Sequence, residues 1–110
     1  IGKMYAENGY LMDTHTAVAY KVYEDYKKET GDNTVTVIAS TASAYKFADS
    51  VAASVGLEIE KDGFVNLRAL HEKTGVKIPV GLKGLETKEI RHKDVLDKED
   101  MKAAVRNALK

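Results

Sequence analysis

Cysteine is absent from the sequence, which excludes a disulfide framework, a thiolate nucleophile and a zinc ribbon. That fits a reducing compartment, and a cytoplasmic protein is expected. An excess of one charge is also absent. Lysine plus arginine and aspartate plus glutamate both total 17, so no basic stripe argues for nucleic acid or for an anionic membrane surface. Charge clusters such as Lys98-Glu99-Asp100 read as solvated helix surface. No apolar run approaches the length needed to span a bilayer. The amino terminus, Ile1-Gly2-Lys3-Met4, has neither an initiator methionine nor the basic-then-apolar layout of a secretory signal. The expectation is a piece cut from a longer chain.

What is present is a globular composition: 110 residues, 44% hydrophobic and 31% charged. No internal repeat, low-complexity tract or interdomain linker divides the chain, so one domain is expected over 1–110. Its cleft-forming part is placed at 1–56 and a helical and loop tail at 57–110.

Ala19, Val22, Tyr23 and Tyr26 recur at helical spacing and predict a helix over 14–30 with that face apolar. Asp13 or Thr14 caps its start, and Lys27, Lys28 and Gly31 suit its end. Ala48, Val51, Ala52 and Val55 predict a second helix, with Gly56 as a left-handed stop. Phe64, Leu67, Leu70 and His71 predict a third over 64–74, ended by Gly75. The segment 76–86 carries the only proline, Pro79, and reads as a traversing loop. A last helix is expected after Asp97 as its cap, with Leu96 and Met101 as a hydrophobic staple and Val105, Ala108 and Leu109 on its apolar side.

Between the first two helices, Thr34-Val35-Thr36-Val37-Ile38-Ala39 is rich in β-branched residues and predicts one strong strand over about 34–40. A lone strand leaves backbone donors and acceptors unpaired on both edges. Pairing with 9–12 would give only a marginal two-stranded sheet. The expected fold class is therefore α/β: a mostly helical fragment of a larger parallel sheet, or a chain that self-associates, as a homodimer, through the sheet edge.

Two segments carry candidate chemistry. Ser40-Thr41-Ala42-Ser43-Ala44-Tyr45-Lys46-Phe47 places hydroxyls where the expected strand becomes a helix, the place at which open α/β sheets bind ligands. Gly9-Tyr10-Leu11-Met12-Asp13-Thr14-His15-Thr16-Ala17-Val18-Ala19 puts Asp13, His15 and Thr16 at a helix start whose amides suit an anion. For both clusters the plain alternative is helix capping. His71 and His92 have no neighbours at metal-ligand spacing, so no metal site is expected.

These segments, together with Ile78-Pro79-Val80-Gly81-Leu82-Lys83-Gly84-Leu85 and Arg91-His92-Lys93, resemble the last part of threonine synthase, a pyridoxal-phosphate enzyme. The resemblance covers nearly the whole chain. It implies that Thr41 sets its hydroxyl against the pyridine nitrogen of the cofactor. It also implies that Asp13, His15 and Thr16 border the cofactor cleft. Lys46 is read as a cleft-edge cation for substrate phosphate and Ser43 as a weaker neighbour. The resemblance puts the Schiff-base lysine in an earlier segment, so no catalytic residue is expected within this chain. Related sequences commonly have proline where this one has Ala44, and often at Thr14 or Ala48, a difference that loosens the turn and the helix starts.

The implied parent converts O-phospho-L-homoserine and water to L-threonine and phosphate, and the chain alone, without the remainder of that enzyme, is expected to be inactive. The alternative is a non-enzymatic binding or oligomerisation module that reuses the fold fragment.

Overall fold

The computed structural model describes residues 1–109, so Lys110 of the expected 1–110 domain lies outside the described residues. In chain order the α-helices are α1 (Gly2–Asn8), α2 (Thr14–Thr30), α3 (Ala48–Ser54), α4 (Gly63–Thr74) and α5 (Met101–Ala108). Short 3-10 turns lie at Ala44–Phe47 and Leu85–Thr87.

There is no strand among the described residues, which corrects the α/β expectation: the fold is helical. The segment 34–40 has no regular structure, and Val35 and Val37 are 92% and 90% exposed. Over 34–36 its polar contacts are local: Thr34 N donates to Asp32 Oδ1 at 2.8 Å, and the Thr36 hydroxyl donates to the Thr34 carbonyl at 3.1 Å. β-Branched residues favour an extended backbone, but a strand exists only when a neighbour accepts and donates along it. The residues at 9–12 supply none, since Gly9 takes the left-handed C-cap of α1 and 10–12 are irregular. Without a strand there is no sheet edge, so the expected edge-to-edge route to self-association falls as well.

The core lies where α3 packs on α4. Val51 and Leu70 are fully buried, joined by Ala44, Tyr45, Ala48, Ala52 and Leu67. Each valine or leucine buried in this way contributes about 1.5–3 kcal/mol against exposure. The apolar faces expected for these two helices are thus the ones that meet, with Phe64 and Val55 packed at the margin. Asp62 starts α4 by accepting from Phe64 N at 2.8 Å, and Gly75 ends it in the left-handed region at φ 69. Gly56 takes φ 83 just beyond α3.

Asn66, buried on α4, ties the connection between these helices. Its Nδ2 donates to Asp49 Oδ1 and to the Glu60 carbonyl, both at 2.8 Å, and its Oδ1 accepts from Glu60 N at 2.8 Å. Beyond α4, the Val76 carbonyl accepts from the Tyr45 hydroxyl and lies 2.7 Å from His71 Nδ1, which fastens the loop back onto the core. Burial pushes the Tyr45 hydroxyl pKa up.

Helix α1 was not expected from sequence. Its Gly2 sits so close to the end of α3 that a Cβ there would run into the Ser54 carbonyl. Helix α2 has the predicted bounds, but its predicted apolar face does not pack: Val22 is 63% and Tyr26 48% exposed, as is Val18 at 66%. Helix α5 starts at Met101 with Asp100 as cap, three residues later than Asp97 would place it, and Asp100 makes no side-chain capping bond. Leu96, Met101, Val105 and Leu109 are all exposed, so the expected staple and apolar side have nothing to cover. The radius of gyration, 18.9 Å, compares with about 13 Å for a compact domain of this length. The chain is an extended body with a small core.

Candidate functional site

The site forms where α2 begins. Asp13 has extended backbone geometry (φ −75, ψ 168) and turns its carboxylate onto the free amides of the first turn. Oδ1 accepts from His15 N at 2.9 Å and from Thr16 N at 3.2 Å. Oδ2 accepts from the Thr16 hydroxyl and, at 3.3 Å, from the Ser40 hydroxyl. Thr16 Oγ1 and Ser40 Oγ are themselves 2.9 Å apart. An ionised carboxylate offers about four acceptor positions, and here four donors meet them.

Asp13 is 1% and Thr16 6% exposed, so this is a carboxylate taken out of water and repaid by full hydrogen bonding. Burial pushes the Asp13 carboxyl pKa up, but the hydroxyl and amide of Thr16, the amide of His15 and the hydroxyl of Ser40 together outweigh it. The pKa lies below the ordinary 3.8.

Around this cluster the two candidate segments meet. The exposed His15 ring lies on Phe47, centroids 4.9 Å apart and tilted by 53°, while its Nδ1 stands 3.6 Å from Asp13 Oδ1. Lys46 Nζ stands 5.8 Å from the centre of the Phe47 ring. Thr41 follows Ser40 directly and is exposed. Ser43 caps the 3-10 turn by accepting from Tyr45 N at 3.3 Å, so its hydroxyl lone pair faces the backbone. Beside Lys46 opens a groove of about 610 Å³, floored by Phe47, Phe64, Leu67 and Leu82 and rimmed by Lys46 and Lys61.

The structure therefore brings Asp13, His15 and Thr16 against the second segment, places Lys46 on the groove rim and leaves Thr41 open beside the cluster. Sequence reasoning gave no separate part to Ser40, which joins the segments, or to Phe47, which supports His15. Both lay inside the quoted motif, but no spacing rule links residue 13 to residue 40. Among the described residues no group of three or more His, Asp or Glu side chains is arranged to hold a metal ion. No described helix is long and apolar enough to cross a membrane.

Fold and cluster together define a small all-helical domain with a buried carboxylate–hydroxyl knot at the head of its longest helix. A family model described as "Threonine synthase, C-terminal" matches residues 16–107. The chain belongs to that family, as the two segments implied. The matched stretch begins at Thr16, so it includes Ser40, Thr41, Ser43 and Lys46 but not Asp13 or His15. No curated protein and no solved structure matches the chain.

Proposed function

We propose that the chain forms one wall of the pyridoxal-phosphate cleft of a threonine synthase, an enzyme converting O-phospho-L-homoserine and water to L-threonine and phosphate. By itself it is inactive. The observation that carries this reading is the Asp13–Thr16–Ser40 knot, which draws together the two segments of the resemblance, with Thr41 exposed next to it in the chain. The family match supports the enzyme class.

The residues present fit part of a cofactor site. An open threonine hydroxyl can donate to or accept from a pyridine nitrogen, and as a neutral partner it does not require that nitrogen to be protonated. Pyridoxal phosphate, when bound, supplies the electron sink that stabilises carbanions during loss of phosphate and addition of water. Lys46, a flexible ammonium on the rim of the groove, is suited to hold the substrate phosphate. Asp13, His15 and Thr16 shape the cleft border, with Asp13 and Thr16 already satisfied by their own hydrogen bonds. The lysine that binds the cofactor covalently comes from the remainder of the enzyme, which also covers the exposed Val18, Val22 and Tyr26 face of α2. A cysteine-free composition supports a cytoplasmic setting.

The test is phosphate release. The pure chain, given pyridoxal phosphate and O-phospho-L-homoserine, releases none, whereas the complete enzyme does. There, Thr41→Val lowers turnover by about tenfold, equivalent to one hydrogen bond of about 1.4 kcal/mol. Phosphate release by the isolated chain would overturn the reading. The same apolar α2 face favours one other reading, a non-enzymatic binding module. Concentration-dependent self-association without affinity for the cofactor would select it.

A further inference from the structure

Thr41 lies in an irregular stretch, and its hydroxyl is useful only if the backbone beneath it is fixed. Downstream the fixing is evident: Ser43 caps the 3-10 turn, and Ala44 and Tyr45 are buried in the core. Upstream, residues 33–39 have no regular structure, and the side chains of Val35 and Val37 stand in solvent. Close to Thr41 on this side Ile38 is half-buried, and Ser40 is tied by hydrogen bonds, with Asp13 Oδ2 at 3.3 Å and with Thr16 Oγ1 at 2.9 Å.

We propose that Asp13 is a positioning residue that acts on Thr41 through Ser40. Its carboxylate divides its labour, with Oδ1 closing the first turn of α2 and Oδ2 holding the Ser40 hydroxyl. The buried helix start thereby becomes the fixed point from which Thr41, one peptide bond beyond Ser40, is presented. A binding group must be held to about 0.5 Å to serve its partner, and a loop pinned at one end only does not achieve that. The proposal rests on the reading of Thr41 as the contact to the pyridine nitrogen, and goes further by saying what holds it there.

Asp13→Asn and Ser40→Ala separate the two halves of the carboxylate's work. Asparagine caps a helix about as well as aspartate, so Asp13→Asn keeps Oδ1 in place but turns an amide donor toward Ser40. Ser40→Ala removes the tie and leaves the cap whole. In the 110-residue chain, amide ¹⁵N relaxation is expected to show the order parameter at Thr41 falling from about 0.85 to below about 0.6 in both variants. Circular dichroism of α2 stays unchanged, and Ser40→Thr retains the order. Unchanged order at Thr41 in Ser40→Ala overturns the proposal.

In the complete enzyme loaded with pyridoxal phosphate, Ser40→Ala and Thr41→Val are expected to move the cofactor absorption band in the same direction, and Ser40→Thr to leave it in place. A band moved by Thr41→Val but not by Ser40→Ala refutes positioning while the role of Thr41 stands. A band unmoved by Thr41→Val refutes that role itself, and the proposal with it.

Discussion

The Thr16 hydroxyl oxygen lies 2.9 Å from the Ser40 hydroxyl oxygen across 24 residues of sequence, and both side chains meet the same oxygen of Asp13. Each hydroxyl has one proton to give, so Thr16 and Ser40 compete and cooperate over one acceptor. Thr16→Val leaves that acceptor with Ser40 alone and is expected to cost about 1–3 kcal/mol, read from the urea midpoint. Adding Ser40→Ala should cost less than the sum of the single changes, because both act on one network. Strict additivity would show that the three groups are not coupled.

Acid should expose the same cluster. The Asp13 pKa is held below the ordinary 3.8 in the folded chain, so its ionised form favours folding. That contribution is complete above 3.8 and disappears as pH falls below it, through the lower folded value. Asp25, held low by its hydrogen bond from Lys21, and Asp32, held low by Thr34, act in the same sense. Urea midpoints are expected to stay level from neutral pH to about pH 5 and then fall. Asp13→Asn should flatten part of that fall, and an identical acid slope would show that the buried carboxylate is not linked to folding.

Asn66 is expected to be the least replaceable polar residue of the core. Its amide serves three partners at 2.8 Å, on Asp49 and on both backbone groups of Glu60. Truncation in Asn66→Ala leaves these groups unpaired at a cost of about 1–3 kcal/mol. Asn66→Asp is expected to melt lower still, since it sets a carboxylate against Asp49 and the Glu60 carbonyl. A higher melting point for the aspartate variant would mean the site rearranges.

The solvent-facing stripe of α2 gives the opposite pattern. Val18→Lys and Val22→Lys alter side chains that are 66% and 63% exposed, so the isolated chain should change by no more than about 0.5 kcal/mol. If the stripe is covered by the remainder of the enzyme, the same changes abolish co-purification of the two parts. Unimpaired assembly would place the contact elsewhere.

Legibility followed the range of the interaction. The bounds of α2 and the stop of α4 were readable because Asp13, Gly31 and Gly75 lie next to the turns they cap. The α3 and α4 faces were readable from periodicity, since those faces do meet. The expected strand failed because Val35 and Val37 state a preference, whereas pairing requires a partner that no local pattern specifies. Periodicity misplaced the α2 face for a related reason: Val22 and Tyr26 mark a surface to be covered, without saying whether this chain covers it. In the site, Asp13 and Thr16 were legible as a helix start, but Ser40 as their partner was not. Asn66 reads as an ordinary polar residue until its three bonds are seen.

The close approach of α1 to the end of α3 leaves the Ser54 carbonyl in the space a Cβ at residue 2 would fill. Every other amino acid brings that carbon. At this one place the alphabet available to the chain shrinks to a single letter, and the junction of its first and third helices is spelled by an atom that is missing.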